Sequence, residues 1–191
     1  MKVVYKPVFL GGLTTAASNS YLSNMAECPS KAAYQFMDLD TRTAAFFNIP
    51  FKMREDPFRM IGVIGSLKQQ RFITAVLKVK NNDIYCDNDD IKTTQEHPDK
   101  VEEVIRNFWI RAWSEDQDVH TPEDIRIIGN MSGMTEAEVS QCLEAMEDPG
   151  VKQRLKEVTD EAVERGAFGS PTMYFSEESG ENEQMFWGSD R

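Results

Sequence analysis

Apolar residues recur at helical spacing through the second half of the chain. Val104 and Phe108 lie on one face of the stretch 98–114, which predicts a helix there. Thr121 and Thr135 each stand three residues before an acidic residue, a spacing typical of the capping box at a helix N-terminus. The pattern therefore predicts helices over residues 98–114, 121 to about 129, 135–146 and 149–164.

The first part of the chain gives weaker patterns. Residues 2–10 are rich in valine, and we expect a buried strand there that Gly11 and Gly12 end. Residues 14–33 are small and polar without a clear period, so we expect a loop. Residues 34–48 predict a weak helix that Pro50 follows.

The middle of the chain contains one helical stretch and one polar stretch. Residues 58–77 fit either one helix or two, with Gly62 and Gly65 as weak points. Residues 78–95 are rich in Asn and Asp, which suggests calcium, but the spacing, glycine and final glutamate of an EF-hand are missing. We therefore expect a solvated polar loop and no metal site.

Two short apolar runs lie near the end of the sequence. Residues 172–176 and 184–187 are separated by the polar stretch 177–183, which predicts a β-hairpin. A series of helices between an early strand and a late hairpin indicates an α/β fold with a helical insertion.

The turn before this hairpin is the stretch around which the chain is organised. The helical pattern ends at Gly166, and Pro171 then stands at the entry of a strand, where it cannot donate to the ladder. A cis bond between Ser170 and Pro171 is one explanation. It would leave the backbone of Ser170 as an unpaired donor and acceptor for an extended ligand. The alternative is a loop proline after a helix C-cap.

Composition excludes several function classes. The net charge is -11, with the acidic excess in residues 96–191, so nucleic acid is an unsuitable partner, although these acids also fit solvated helix faces. No apolar run is long enough to span a bilayer, so we expect no membrane partner. The three cysteines, Cys28, Cys86 and Cys142, form no Cys-x-x-Cys pair, which excludes a self-contained dithiol oxidoreductase.

Four segments, in this order, resemble the kappa-class glutathione S-transferases: residues 68–76, 107–113, 166–172 and 186–191. The resemblance implies one DsbA-like thioredoxin domain over residues 1–191. It implies an all-helical insertion at about 57–147 and a polar loop insertion at about 78–95. It also implies glutathione as substrate, conjugation to small electrophiles or peroxide reduction, and a homodimer.

The resemblance assigns glutathione contacts to Asn19, Lys31, Ser170, Pro171, Ser189 and Asp190. An amide and an ammonium suit a tripeptide that carries two carboxylates. Taken alone, Asn19 and Lys31 also fit ordinary loop side chains. Trp109 and Trp113 stand four residues apart on a helix and are candidates for a hydrophobic substrate cleft. Core or dimer contacts are the alternative for both tryptophans.

The sequence also departs from the family. The family begins with a strand, a turn whose serine activates the glutathione thiol, and a helix, whereas this sequence opens at what looks like the second strand. The sequence also stops at Arg191, where the final helix of the family would begin. We therefore expect a DsbA-like fold that lacks the N-terminal strand, turn and helix and the C-terminal helix, with no residue that matches the catalytic serine. Two other functions stay open, a glutathione-dependent isomerase of the 2-hydroxychromene-2-carboxylate type and a non-catalytic binding module. The family implies mitochondria or peroxisomes, but no targeting signal is visible, so the cytoplasm stays open.

Overall fold

The computed structural model describes residues 4–19, 27–55, 57, 65–80, 100–177 and 182–188. Within these ranges the chain is mostly helical, with one two-stranded antiparallel sheet. The helices are α1 (Leu10–Ala16), α2 (Pro29–Asp38), α3 (Ala44–Phe46), α4 (Leu67–Lys80), α5 (Lys100–Trp113), α6 (Pro122–Met131), α7 (Glu136–Ala145) and α8 (Pro149–Glu164). A π-helical turn, Leu39–Thr43, joins α2 to α3. The strands are β1 (Thr172–Phe175) and β2 (Gln184–Trp187).

The chain forms two compact units. The first comprises Met1–Val8 and Phe51–Val158, and the second comprises Phe9–Pro50 and Thr159–Arg191. Helices α4 to α7 belong to the first unit and fall within the range expected for the helical insertion. The assignment of one domain over residues 1–191 stays a prediction.

The core of the first unit lies between helices α4, α5, α6 and α7. The ring of Phe72 meets that of Phe108 edge to face, with the ring centroids 6.3 Å apart. The same buried cluster contains apolar side chains from the inner faces of these helices and from α8: Val76, Val101, Val104, Ile125, Ile128, Val139 and Val151. The 3.6-residue period that predicted these helices thus marks the side chains that form the core.

Both predicted capping boxes are confirmed. The hydroxyl of Thr121 accepts a hydrogen bond from the N–H of Asp124, whose carboxylate accepts one from the N–H of Thr121 in return. Thr135 and Glu138 form the same reciprocal pair at the start of α7. Each box satisfies backbone donors that a helix N-terminus leaves without an intrahelical partner.

A buried arginine connects α5 to the start of α6. The guanidinium of Arg111 donates to the carbonyl of Asp118 at 2.8 Å and to the side chain of Gln117 at 2.7 Å. It also donates to the carboxylate of Asp124 at 3.2 Å. Burial on its own would raise the pKa of Asp124, but hydrogen bonds from Thr121 and the charge of Arg111 outweigh burial and lower that pKa.

The expected strand over residues 2–10 is wrong for the part that is described. Residues 4–9 form no strand, and Leu10 already begins helix α1. Gly11 and Gly12 lie inside this helix, and the ring of Phe9 packs against them, so that a Cβ on Gly11 would lie 2.9 Å from Cζ of Phe9. The N–H of Phe9 donates to the hydroxyl of Thr159 at 3.0 Å, where a strand would donate to a neighbouring strand.

Other boundaries also differ from the sequence prediction. The expected loop over residues 14–33 is wrong in part, since Leu10–Ala16 and Pro29–Asp38 are helical. The expected loop over 78–95 is wrong for residues 78–80, which complete α4. Residues 81–95 lie outside the described ranges, as do residues 58–64 of the predicted stretch 58–77.

The hairpin prediction is confirmed. Thr172 faces Trp187, and Phe175 faces Gln184, in an antiparallel register without a bulge. Most side chains of the hairpin are at least one third exposed, including Met173, Phe175 and Phe186 on one face. Among the described residues this sheet has two strands, so the edge of β1 away from β2 carries no neighbouring strand.

Candidate functional site at the turn before the hairpin

The candidate site is the turn that joins helix α8 to strand β1. The helix ends at Glu164, and Gly166 follows with a φ of 88°. The N–H of Ala167 donates to the carbonyl of Ala162 at 2.9 Å, which ties the start of the turn to the last turn of the helix. The prediction that the helical pattern ends at Gly166 is therefore confirmed.

Side chains hold the next two carbonyl groups of the turn. The carbonyl of Phe168 accepts a hydrogen bond from Nδ2 of Asn19 at 2.8 Å. The carbonyl of Gly169 accepts one from the hydroxyl of Thr172 at 2.7 Å. These two bonds fix the direction of the backbone immediately before Ser170.

The backbone of Ser170 differs from that of its neighbours. The N–H of Gly188 donates to the carbonyl of Pro171 at 3.0 Å, which extends the β1–β2 ladder by one hydrogen-bonded pair. In the part of the chain that the structure describes, neither the N–H nor the C=O of Ser170 has a partner. Among the described residues the N–H groups of Phe168 and Gly169 also lack a partner, but Ser170 is the residue of the stretch 165–171 that lacks one at both its N–H and its C=O.

The peptide bond between Ser170 and Pro171 is cis. Both residues are exposed to solvent. The interpretation of Pro171 as a cis proline is confirmed, and it replaces the alternative of an ordinary loop proline. The unpaired backbone predicted for Ser170 is also found.

An aromatic pair packs against the backbone of the turn. The ring centroids of Phe168 and Trp187 are 5.0 Å apart. A Cβ on Gly169 would lie 2.5 Å from Nε1 of Trp187, so the indole rests directly on the backbone of this glycine. No local sequence pattern indicated a role for Trp187 in this turn. Its only signal was a place in the last segment of the family resemblance.

An arginine holds strand β1 against the end of α8. The guanidinium carbon of Arg165 lies 3.8 Å from the centroid of the Tyr174 ring, and the same guanidinium pairs with Glu161 and Glu183. Burial raises the pKa of Tyr174, although the nearby charge of Arg165 acts in the opposite direction. Arg165 therefore fixes the start of the hairpin from the helix side.

Asn19 and Lys31 both lie in the second unit, but they differ in their contacts with the turn. Asn19 follows helix α1 and contacts the turn directly through Phe168. Lys31 lies in the first turn of helix α2 and not in a loop, and its side chain is exposed. No hydrogen bond or ion pair of the described residues joins Lys31 to the turn.

The two tryptophans of α5 belong to the first unit and have different surroundings. Trp109 is 61% exposed. Trp113 packs against the core and stacks on Phe51 with ring centroids 6.0 Å apart. Trp113 therefore makes the core contacts that were the alternative to a substrate cleft. The substrate-cleft role stays a prediction for both tryptophans.

The described residues contain neither a metal-binding cluster nor a helix that could span a membrane. Among the residues the structure describes, no three His, Cys, Asp or Glu side chains converge in a way that could hold a metal ion. Within the same ranges, no helix combines the length and the apolar character that crossing a bilayer requires.

The comparison with known families decides the fold. The family model for the DsbA-like thioredoxin domain matches residues 91–191, more than half of the chain. This chain belongs to the DsbA-like thioredoxin family. The helical unit and the hairpin with its cis proline agree with a DsbA-like α/β fold that carries a helical insertion.

Three kappa-class proteins are similar to this DsbA-like chain. Human glutathione S-transferase kappa 1 is 31% identical to it over 85% of the chain and 63% of its own length. Rat glutathione S-transferase kappa 1 is 28% identical over the whole chain and 74% of its own length. Glutathione S-transferase kappa 2 of Caenorhabditis elegans is 26% identical over 97% of the chain and 73% of its own length. The resemblance to the kappa class is confirmed over most of the chain, which spans less than two thirds of the human relative.

Among the glutathione contacts predicted for this DsbA-like chain, the structure brings together Asn19, Ser170 and Pro171. Lys31 lies in the same unit, on a separate helix. Ser189 and Asp190 lie outside the described residues, directly after Gly188, which is held by the ladder. The glutathione roles of all six residues stay predictions.

Proposed function

We propose that this chain binds glutathione at the turn around Ser170 and acts on it as a kappa-class glutathione S-transferase does. One observation carries the proposal: among the described residues the N–H and C=O of Ser170 have no partner, whereas the carbonyls of Phe168, Gly169 and Pro171 on the same turn each accept a hydrogen bond. The cysteine of glutathione has one N–H and one C=O of its own. It can therefore pair with Ser170 as a short added strand.

The charge of Lys31 supports an anionic tripeptide as the ligand. Its ammonium has no ion-pair partner among the described residues, and it stands in the first turn of α2, where the helix dipole is positive. A cation at this end of a helix strengthens the attraction for a carboxylate. We assign to Lys31 one of the two carboxylates of glutathione.

The reaction proposed is thiolate attack on a small electrophile. The sulfur of glutathione loses its proton to solvent, forms a bond to the electrophilic carbon, and the leaving group departs with its electron pair. Binding at Ser170 contributes orientation of the thiol to this step. No residue of this sequence is assigned as the catalytic group that stabilises the thiolate.

One observation favours a second candidate, a module that binds glutathione without turning it over. Among the described residues, the side chains that contact residues 168–170 include Asn19, Thr172 and Trp187, and these three are uncharged. A binding module needs only the backbone of Ser170.

Ligand binding is tested first, by the thermal midpoint and by titration calorimetry with millimolar glutathione. A ligand that binds only the folded chain raises the midpoint, and the stabilisation grows with the logarithm of its concentration above Kd. The decisive comparison is a glutathione analogue that carries a methyl group on the cysteine amide nitrogen. We expect this analogue to bind at least about tenfold more weakly, since it lacks one backbone donor.

The matched protein control is Ser170→Ala. This substitution removes the hydroxyl and leaves both backbone groups, so we expect glutathione affinity within about twofold of the wild type. Equal affinity for glutathione and its N-methyl analogue would contradict the proposal. Turnover with a chlorodinitrobenzene then separates the two candidates, since the transferase consumes glutathione and the module does not.

The assembly and location of the protein are separate proposals. We infer a homodimer and a mitochondrial or peroxisomal location from the likeness to the kappa class alone. Light scattering at several concentrations measures the first. Imaging of the tagged full-length protein in cells measures the second.

A further inference from the structure

The side chain of Asn19 is already engaged within the protein. Its Nδ2 donates to the carbonyl of Phe168 at 2.8 Å, and the two residues are 149 positions apart in sequence. Phe168 lies two residues before Ser170, the residue that presents the unpaired backbone groups. We propose that Asn19 is a positioning residue, which holds this turn in the conformation that receives the ligand. The proposal rests on the glutathione-binding function given above.

The end of helix α1 determines where Asn19 lies. The N–H of Asn19 donates to the carbonyl of Thr14 at 2.8 Å, and the N–H of Ser18 donates to that of Thr15 at 3.1 Å. These two bonds form a Schellman motif, in which the residue in the left-handed conformation is usually glycine. Here that residue is Ser18, with a φ of 54°. The backbone of Asn19 is therefore fixed by two hydrogen bonds of the helix end.

Helix α1 is in turn attached to the end of α8. The N–H of Phe9 donates to the hydroxyl of the buried Thr159 at 3.0 Å, and Leu13 is fully buried. Gly12 lies close to the same threonine, since a Cβ on this glycine would lie 3.7 Å from Cγ2 of Thr159. Helix α1 therefore holds Asn19 at a fixed place relative to the helix from which the turn departs.

A positioning role follows from this arrangement. The hydrogen bond from Asn19 restrains Phe168, and the hydroxyl of Thr172 restrains Gly169, so that the backbone reaches Ser170 in one conformation. Without the first bond the turn samples more conformations, and a ligand must order it on binding. The resemblance assigned a direct glutathione contact to Asn19, whereas the geometry points to an indirect effect through Ser170.

The test uses Asn19→Ala and Asn19→Asp in the full chain. Aspartate has the shape of asparagine, but its carboxylate cannot donate to a carbonyl oxygen. We expect both variants to weaken glutathione binding by about three- to tenfold, the change that loss of one hydrogen bond produces. Both should also exchange the hydrogen-bonded amide hydrogens of Ala167 and Gly188, which flank the turn, faster in the absence of ligand.

Fragments of glutathione separate positioning from direct contact. Glutathione, γ-glutamylcysteine and cysteinylglycine share the cysteine that pairs with Ser170. If Asn19 acts through the turn, Asn19→Ala weakens the binding of all three by the same factor. A loss confined to ligands that carry one end of the tripeptide, or unchanged exchange in the ligand-free variant, would overturn the proposal.

The matched control is Ser18→Gly, which keeps the Schellman motif and the side chain of Asn19. We expect this variant to bind glutathione as the wild type does. The exchange measurement needs no glutathione, so the two proposals fail in different ways. Faster exchange in Asn19→Ala together with a wild type that does not bind glutathione would overturn the proposed function and leave Asn19 a purely structural residue.

Discussion

The indole of Trp187 occupies the space that a side chain on Gly169 would need. A Cβ at position 169 would lie 2.5 Å from Nε1 and 3.2 Å from Cε2 of Trp187. Real Cβ atoms do not approach other heavy atoms so closely, so any larger residue displaces the indole. Strand β2 therefore contacts the turn through Trp187, and Asn19 holds the turn through the carbonyl of Phe168.

We expect Gly169→Ala to destabilise the chain by about 1–3 kcal/mol, the usual range for adding a methyl group to a packed site. The displaced Trp187 also loses its contact with Phe168, so the glutathione-dependent rise of the thermal midpoint should decrease. Urea unfolding monitored by tryptophan fluorescence measures the first effect. The double variant with Trp187→Ala is the control, since removing the indole should make the added methyl group less destabilising than it is alone. Fully additive effects would contradict the contact.

The hydroxyl of Thr172 is expected to stabilise the turn. Thr172→Val keeps the shape of the side chain but leaves the carbonyl of the buried Gly169 without its donor. We expect a loss of about 1–2 kcal/mol in the free energy of unfolding. Thr172→Ser keeps the donor and should lose clearly less. Equal losses in the two variants would show that the methyl group, and not the hydroxyl, is what matters at this position.

Tyr174 is expected to affect stability at alkaline pH. Burial raises its pKa in the folded state above the ordinary value of 10.0, so the folded chain keeps this proton longer than the unfolded chain does. Its contribution is complete below pH 10 and is lost as the pH rises through the folded pKa. Tyr174→Phe should therefore lose stability less steeply above pH 10 than the wild type.

At neutral pH the same substitution should have a small effect. The phenol donates to the carbonyl of Arg165 at 3.4 Å, which is a long hydrogen bond, and phenylalanine keeps a ring beneath the guanidinium. Chemical unfolding at several pH values measures both effects. Parallel alkaline limbs in wild type and Tyr174→Phe would show that Tyr174 does not titrate differently in the two states.

Asp124 is expected to affect stability at acidic pH. Its pKa is lowered in the folded state, so the unfolded chain takes up this proton first as the pH falls. The stabilisation is present above the ordinary value of 3.8 and is lost as the pH falls through the lower folded pKa. Asp124→Asn should cost about 1–3 kcal/mol at neutral pH, since Arg111 loses a charged partner and α6 loses its capping carboxylate.

The difference between wild type and Asp124→Asn should therefore shrink below pH 3.8. Asp148→Asn is a suitable comparison, because the pKa of Asp148 is also lowered, first by the hydrogen bond from the N–H of Gly150 and then by the charge of Lys78, but this carboxylate lies at the exposed surface. We expect a much smaller change there, as exposed ion pairs contribute little. A pH-independent difference for Asp124→Asn would contradict the role of its charge.

The sequence predicted the elements whose signals are local. The 3.6-residue period and the capping threonines Thr121 and Thr135 determined the helices of the first unit, because both signals depend on residues a few positions apart. Alternating apolar runs with a polar turn between them predicted the hairpin. The position of Pro171 at a strand entry left a cis bond and an ordinary loop proline as alternatives, and the resemblance supplied the family.

Only the tertiary structure decided how the early segment folds and what completes the turn. Residues 4–9 have valines that suit a strand, but the N–H of Phe9 bonds to Thr159, which lies 150 positions later. The partner of Asn19 is likewise 149 positions away, and nothing near either residue in sequence specifies it. Local patterns report which conformation a segment prefers, whereas the hydrogen-bond partners of a turn depend on which distant side chains the packed chain brings to it.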